Sequence, residues 1–229
     1  MVGNWFQGVR LGKLLHQPPF PWVAGAEFAG YASDITRTYA LRSGDFATLI
    51  ERMDEMQQTL CAGLRAGVDW RDVHLRAHEL TGKLLREADI TNCNADEAVA
   101  NGVTSVFLPH GIGHLLGLEV HDVGGFMESA EGGDIPRPAG HPFLRLTRVL
   151  QKDFVVTVEP GIYFIDQLLD AARADARGGK INWPRVASLR KFGGIRIEDD
   201  VAITDTGCEN LTRDAFEALQ TKAAPKLSS

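Results

Sequence analysis

An α+β domain is the fold class that three features of the 229-residue chain predict. Two stretches carry apolar residues at three- and four-residue steps, the spacing of amphipathic helices. Short runs that are either wholly apolar or alternating, bounded by glycine and proline, have the pattern of strands. Helices and antiparallel-style strands follow one another in mixed order, with no internal repeat and no low-complexity tract. At 44% hydrophobic and 24% charged residues the chain has the composition of a globular protein able to bury a sizeable core.

Residues 17–22, Gln-Pro-Pro-Phe-Pro-Trp, form a proline-stiffened extended stretch that separates residues 1–22 from the rest. From 23 to 40, aromatic and β-branched residues surround Gly25 and Gly30, which predicts two short strands joined by a glycine turn, with Asp34 in the second. Phe46, Leu49, Ile50, Met53, Met56, Leu60 and Leu64 predict a helix that ends near Gly67. Val73, Ala77, Leu80, Leu84 and Leu85 predict a second over 70–88. His74 and His78 share one side of that helix, but no nearby carboxylate pattern supports a metal pair there.

Residues 101–142 are rich in glycine and proline and lack periodicity, so a long loop region with short strands is expected, as at a functional site. Residues 154–158, Phe-Val-Val-Thr-Val, form a buried strand that closes on Glu159-Pro160-Gly161. Residues 195–203 alternate charged and apolar side chains for half their length, which puts Arg196, Glu198 and Asp200 on one face. A helix over 213–223 completes the domain.

The formal charge of −6, from 30 acidic and 24 basic residues, comes with no run of lysine or arginine and leaves no footprint for nucleic acid. Cys61, Cys93 and Cys208 are odd in number and far apart, so neither a disulfide framework nor a thiolate zinc site is indicated and a reducing cytoplasm is expected. The first 22 residues lack a continuous apolar core and a cleavage site, and no segment reaches the ~20 apolar residues needed to cross a bilayer.

Three of the seven histidines, His110, His114 and His121, fall within twelve residues among glycines. Imidazoles gathered on a loop mark a metal or proton-transfer site, although the glycines break the helix that an HExxH zinc motif needs. Glu159 and Glu198 stand where strands prefer apolar residues. A buried carboxylate costs several kcal/mol unless a cation or donor compensates it. Singly, each glutamate reads as half of a structural salt bridge with Arg196 or Arg37. Taken with Asp34 and His114 they form a hard, oxygen-rich set suited to manganese or cobalt. Two bridging carboxylates can hold a pair of ions ~3.5–4 Å apart, with a water between them acidified into a nucleophile. His110 and His121 are then outer groups that donate protons or hydrogen bonds, and Arg196 orients a carboxylate.

Four segments, 24–38, 109–122, 157–164 and 192–199, closely resemble in order and spacing the bacterial Xaa-Pro dipeptidases (prolidases), which are pita-bread metallopeptidases. The resemblance spans about 23–215. It implies a pita-bread catalytic domain over 23–224, a curved antiparallel sheet with covering helices, followed by a flexible tail at 225–229. It implies two manganese-type ions, hydrolysis of Xaa-Pro dipeptides, and the homodimer that the family's leading domain supports. Asp34 corresponds to a bridging ligand, His114 and Glu159 to ligands of one ion, and Glu198 to a ligand of both. Glu159 also corresponds to the proton-transfer group, and His110, His121 and Arg196 to substrate and transition-state contacts.

Two departures stand out. The family's first aspartate ligand lies eleven positions before the second, and here that position is Val23, so one ion is expected to be weak or missing and activity low. Residues 1–22 do not resemble the family and replace its leading domain, as a truncated or shifted reading frame would. The competing expectation is a non-catalytic pita-bread module that binds peptides or partners. Relatives that attack phosphotriesters, and a creatinase-like or aminopeptidase-like relative, are further readings. The stretch after His121-Asp122 and the run at 192–199 look more like the dipeptidases.

Overall fold

The structure is a computed structural model that describes residues 22–223. Apart from Trp22, the atypical leader lies outside the described residues, as does the tail at 225–229. Strands β1 (Trp22–Phe28) and β2 (Tyr31–Arg37) pair antiparallel across Ala29-Gly30. Both turn residues are left-handed, with φ of 53° and 84°, the geometry that matches the twist of a two-residue hairpin. The register sets Val23 against Thr36 and Gly25 against Asp34, so positions 23, 34 and 36 fall on one face of the pleat.

Helix α1 (Asp45–Ala62) buries Phe46, Leu49, Met53, Met56 and Leu60. It ends at Gly63, four residues before the expected Gly67, and the chain then makes a separate turn into α2 (Trp70–Glu87). Asp69 caps α2 by accepting from the Arg71 amide at 2.9 Å. Two short helices follow, α3 (Ala95–Ala100) and α4 (Thr104–Phe107). The first starts in a capping box between Asn94 and Glu97. The expected loop region contains only α4 and a small hairpin, β3 (Met127–Ser129) with β4 (Gly132–Asp134).

Strand β5 (Val155–Val158) leads through Glu159-Pro160 into β6 (Gly161–Tyr163). Helices α5 (Asp166–Arg173) and α6 (Trp183–Arg190) come next, then β7 (Gly194–Arg196), β8 (Asp199–Ile203), β9 (Cys208–Asn210) and α7 (Leu211–Ala223). The single strand expected over 195–203 is therefore two. The Ile197 amide turns to the Pro160 carbonyl and the Glu198 amide to the Thr36 carbonyl, which hands the chain from the β6–β7 pair to the β5–β8–β9 sheet. An isolated bridge Thr36↔Glu198 joins β2 to this break, and Leu115↔Val156 joins the histidine loop to β5.

The strand pairs are all antiparallel, α1 packs on β5, β7 and β9, and α2 packs against α1 within one continuous core. Trp70, Leu85, Phe107, Ile112, Val156, Val158, Ile162 and Ile195 are fully buried in it. At ~1.5–3 kcal/mol for each large apolar side chain withdrawn from water, this core is what fixes the strands relative to one another. Among the described residues, no helix is long and apolar enough to cross a membrane.

Candidate metal centre

Four separate segments of the chain meet at one site. Asp34 comes from the middle of β2, His114 from the loop after α4, Glu159 from the end of β5 and Glu198 from the break between β7 and β8. His114 Nε2 lies 3.7 Å from Asp34 Oδ2 and 3.8 Å from Glu159 Oε1. Donor atoms of His114, Glu159 and Glu198 fall within 4.8 Å of one another, as do those of Asp34, His114 and His121. The structure thus brings together all four residues that the sequence offered as ligands.

The backbone aims these side chains. His114 Nδ1 faces the Leu115 carbonyl at 2.9 Å, which leaves Nε2 to face the carboxylates. Gly113 allows this loop to lie on β5, because a Cβ there would stand 2.0 Å from the Thr157 carbonyl oxygen and 2.7 Å from the Trp70 ring. Backbone cannot yield to such a contact, so Gly113→Ala is expected to cost at least ~1–3 kcal/mol and to displace His114. Chemical denaturation checks this: an unchanged midpoint would show that the loop does not rest on β5.

Thr36 Oγ1 donates a short hydrogen bond to Glu198 Oε2. Glu198 Oε1 is buried with no partner among the described residues, and a divalent cation between the carboxylates would satisfy that lone oxygen. The Asp34 amide donates to the Asp200 carboxylate at 3.1 Å. Arg196 Nη1 stands 3.5 Å from Glu159 and 3.9 Å from Glu198, so it only partly offsets their charge. Arg37, the other expected partner, pairs with Asp199 instead.

Burial, reinforced by Glu198, pushes the Glu159 carboxyl up to about 8. Glu198 is also raised by burial, and Asp200 rises to about 7 for the same first reason. Burial opposes the His114 cation, but Asp34, the Leu115 carbonyl and Glu159 outweigh it and raise its affinity for a proton. These groups crowd like charges that a metal would neutralise. The folded, metal-free chain therefore keeps protons that the unfolded chain releases above about pH 4.5. Its stability falls as pH rises toward 8, while the buried histidines His74, His78 and His110 make it fall again below about pH 6.5. Above pH 7 the carboxyls and His114 act, joined toward pH 8.5 by the Cys61 and Cys208 thiols, which burial raises and which act in the same direction. Metal-free melting temperature is expected to drop between pH 7 and 8.5, and a divalent ion to raise it most at the alkaline end, where the fewest protons need be displaced. A flat alkaline limb would contradict the crowding.

The three outer residues also reach the site. His110 Nε2 meets the Tyr163 hydroxyl at 2.9 Å, Arg196 Nε donates to that hydroxyl at 2.7 Å, and His110 Nδ1 faces the Gly111 carbonyl. Burial pushes His110 down to about 4, so its Nε2 is an acceptor held by Tyr163. His121 is exposed, with its ring 4.4 Å from that of His114. Both histidines open onto a cavity of about 710 Å³ that Arg137, Arg145, Phe126 and Phe143 also line. Sequence reasoning quoted Tyr163 and Thr36 within the motifs but gave them no role. Thr36 lies two residues from Asp34 in β2 and bonds Glu198, and Tyr163 lies four residues after Glu159 in β6.

Residues 22–205 match the model of metallopeptidase family M24. The chain is 49% identical over 217 residues to an Xaa-Pro dipeptidase of Xanthomonas euvesicatoria, covering 90% of this chain and 49% of that protein. It is 51% identical over 212 residues to an Xaa-Pro dipeptidase of Stenotrophomonas maltophilia, covering 91% and 48%. The chain spans about half the length of these curated relatives. Among solved structures it resembles zinc-substituted Escherichia coli aminopeptidase P in complex with product, with a TM-score of 0.63, 29% identity and coverage of 90% of this chain and 42% of that one. Proline aminopeptidase P II from Yersinia pestis gives a TM-score of 0.59 at 30% identity, covering 87% and 41%. The sheet and helices described above have the pita-bread architecture of these proteins. With four fifths of its length inside the family model, the chain belongs to metallopeptidase family M24.

Proposed function

We propose that this chain carries the catalytic site of a dipeptidase that hydrolyses Xaa-Pro dipeptides with manganese-type ions. A metallopeptidase family brings a divalent metal with it, and the observation that carries the reading is the inward-facing set of His114 Nε2, Asp34, Glu159 and Glu198, with one Glu198 oxygen unpartnered. Oxygen donors dominate the set, which favours manganese over ions that prefer sulfur or nitrogen. A bound ion supplies an acidified water and polarises the scissile carbonyl.

The chain's own residues do the rest. Asp34, His114, Glu159 and Glu198 would hold the ions. Glu159, the carboxylate that Arg196 faces at 3.5 Å, accepts the proton of the attacking water and passes it to the leaving proline nitrogen. His121 faces the cavity and donates to the developing oxyanion. Tyr163 ties His110 to Arg196, so that Arg196 is held against Glu159 and the substrate. Arg145 and Arg137 give the cavity the positive wall that a dipeptide carboxylate needs.

Position 23 faces the same side of the hairpin as Asp34. With valine there, a second ion would have only Asp34 and Glu198 to hold it, so the proposed activity rests on one well-held ion. The reading is tested by assaying the manganese-loaded chain on Ala-Pro and on Pro-Ala. Manganese-dependent release of proline from Ala-Pro alone is expected. Saturable dipeptide binding without cleavage would instead support a peptide-binding module.

A further inference from the structure

A second cluster lies outside this centre. His74 and His78 stand one turn apart on the buried side of α2, and His141 reaches them from the loop before β5. Their ring centroids form a nearly equilateral triangle with sides of 4.8, 4.6 and 4.6 Å. One ring nitrogen from each lies within 4.8 Å of the other two. The cluster borders a cavity of about 170 Å³, separate from the larger one, that Ser105, Leu108, Gly140 and Leu168 help to line.

The trio does not satisfy all of its own ring nitrogens. His74 Nε2 and His141 Nδ1 share one hydrogen bond at 2.9 Å, and His78 Nδ1 is held by Thr104 Oγ1 at 2.9 Å. His74 Nδ1 is buried with no partner among the described residues, on a residue only 1% exposed. An unpartnered ring nitrogen in such a site calls for a ligand or water that the protein does not itself supply.

We propose that His74, His78 and His141 bind one ion of the zinc class through three imidazole nitrogens, with the fourth position open to the small cavity. Three imidazoles without carboxylate suit zinc, cobalt, nickel or copper, whereas the oxygen-rich centre suits manganese. Metal–nitrogen bonds of about 2.0–2.1 Å in a tetrahedron separate neighbouring nitrogens by about 3.4 Å, so the trio closes by shifts of an ångström or so. His141 can make that shift because it alone is on a loop. Thr104 fixes the His78 ring with Nε2 free to face the ion, the role that an outer hydrogen bond plays at histidine metal sites. Burial also keeps the rings of His74 and His78 neutral, with lone pairs available.

The location gives the ion a consequence. Pro142 and Phe143, next to His141, line both cavities. An ion on the trio ties that wall of the larger cavity to α2.

The test is a cobalt titration of the full chain after saturation with manganese. The wild type is expected to take up one cobalt per chain more than His141→Ala does, and that extra ion to carry the intense visible absorption of tetrahedral Co(II). His141→Ala should weaken cobalt binding tenfold or more and abolish the band while the manganese content and far-UV circular dichroism stay unchanged. His141→Cys should keep the ion and add a sulfur-to-cobalt charge-transfer band in the near ultraviolet. A wild-type chain with no tetrahedral band, a band that survives His141→Ala, or a folded His141→Cys protein without the charge-transfer band would each overturn the proposal.

Discussion

Glu159→Gln is expected to lower Xaa-Pro hydrolysis about 10²–10⁴-fold, the range for loss of a positioned general acid–base, while making the metal-free protein more stable. The opposite signs come from one cause. In the folded state the Glu159 carboxyl is held at about 8 by burial and by Glu198, so at pH 8 its ionisation works against folding. Glutamine keeps the shape and removes the charge. Because the folded wild type holds a proton that the unfolded chain has lost, the variant's advantage grows by roughly 1.4 kcal/mol per pH unit between pH 6 and 8 and fades toward pH 4.5. Urea denaturation of both metal-free proteins at pH 6 and 8, beside the assay, measures it. An activity loss with no stability gain would mean that the Glu159 carboxylate is already compensated without metal.

The second large effect is a gain. Val23→Asp should raise bound manganese from about one ion per chain to two and increase turnover by about 10²-fold or more, since a second ion completes the clamp on attacking and leaving groups. The argument is one of register. Val23 pairs with Thr36, Asp34 sits two residues along the same strand, and Thr36 in turn holds Glu198. An aspartate at position 23 therefore starts on the face where the second ion's remaining ligands, Asp34 and Glu198, already stand. Manganese titration and the Ala-Pro assay read the two effects separately. If both proteins carry two ions and turn over alike, the valine costs nothing and the proposed asymmetry is wrong.

Much of this site was legible in the sequence because its parts are local exceptions to strong rules. Glu159 closes an apolar strand, Asp34 lies beyond a glycine turn, and His114 sits among glycines, two of which, Gly111 and Gly113, have no room for a Cβ against backbone. Glu198 was found for the same reason, but the alternation around it hid the break between β7 and β8. That break depends on Thr36 and Pro160, which are far away in sequence. Helices α5 and α6 escaped notice because each buries only two residues, Leu169 with Ala172 and Val186 with Leu189, too few to make a periodic stripe. The trio around His74 was set aside because its local sequence offers no carboxylate. Its third member, His141, arrives from a loop 67 residues from His74, a separation that no spacing rule detects. Tyr163 gave no signal because its hydroxyl's place between an imidazole and a guanidinium depends on the pairing of β6 with β7.

The most direct test of the central claim, that Asp34, His114, Glu159 and Glu198 together form the metal centre, is manganese content after equilibrium dialysis of the wild-type chain and of Glu198→Gln. Glu198 is 1% exposed and, beyond Thr36 and the more distant Arg196, carries an unpartnered oxygen that a cation would satisfy. The expected result is at least one manganese per wild-type chain and its loss in a Glu198→Gln protein that remains folded. Equal manganese in the two proteins, or none in either, would contradict the account.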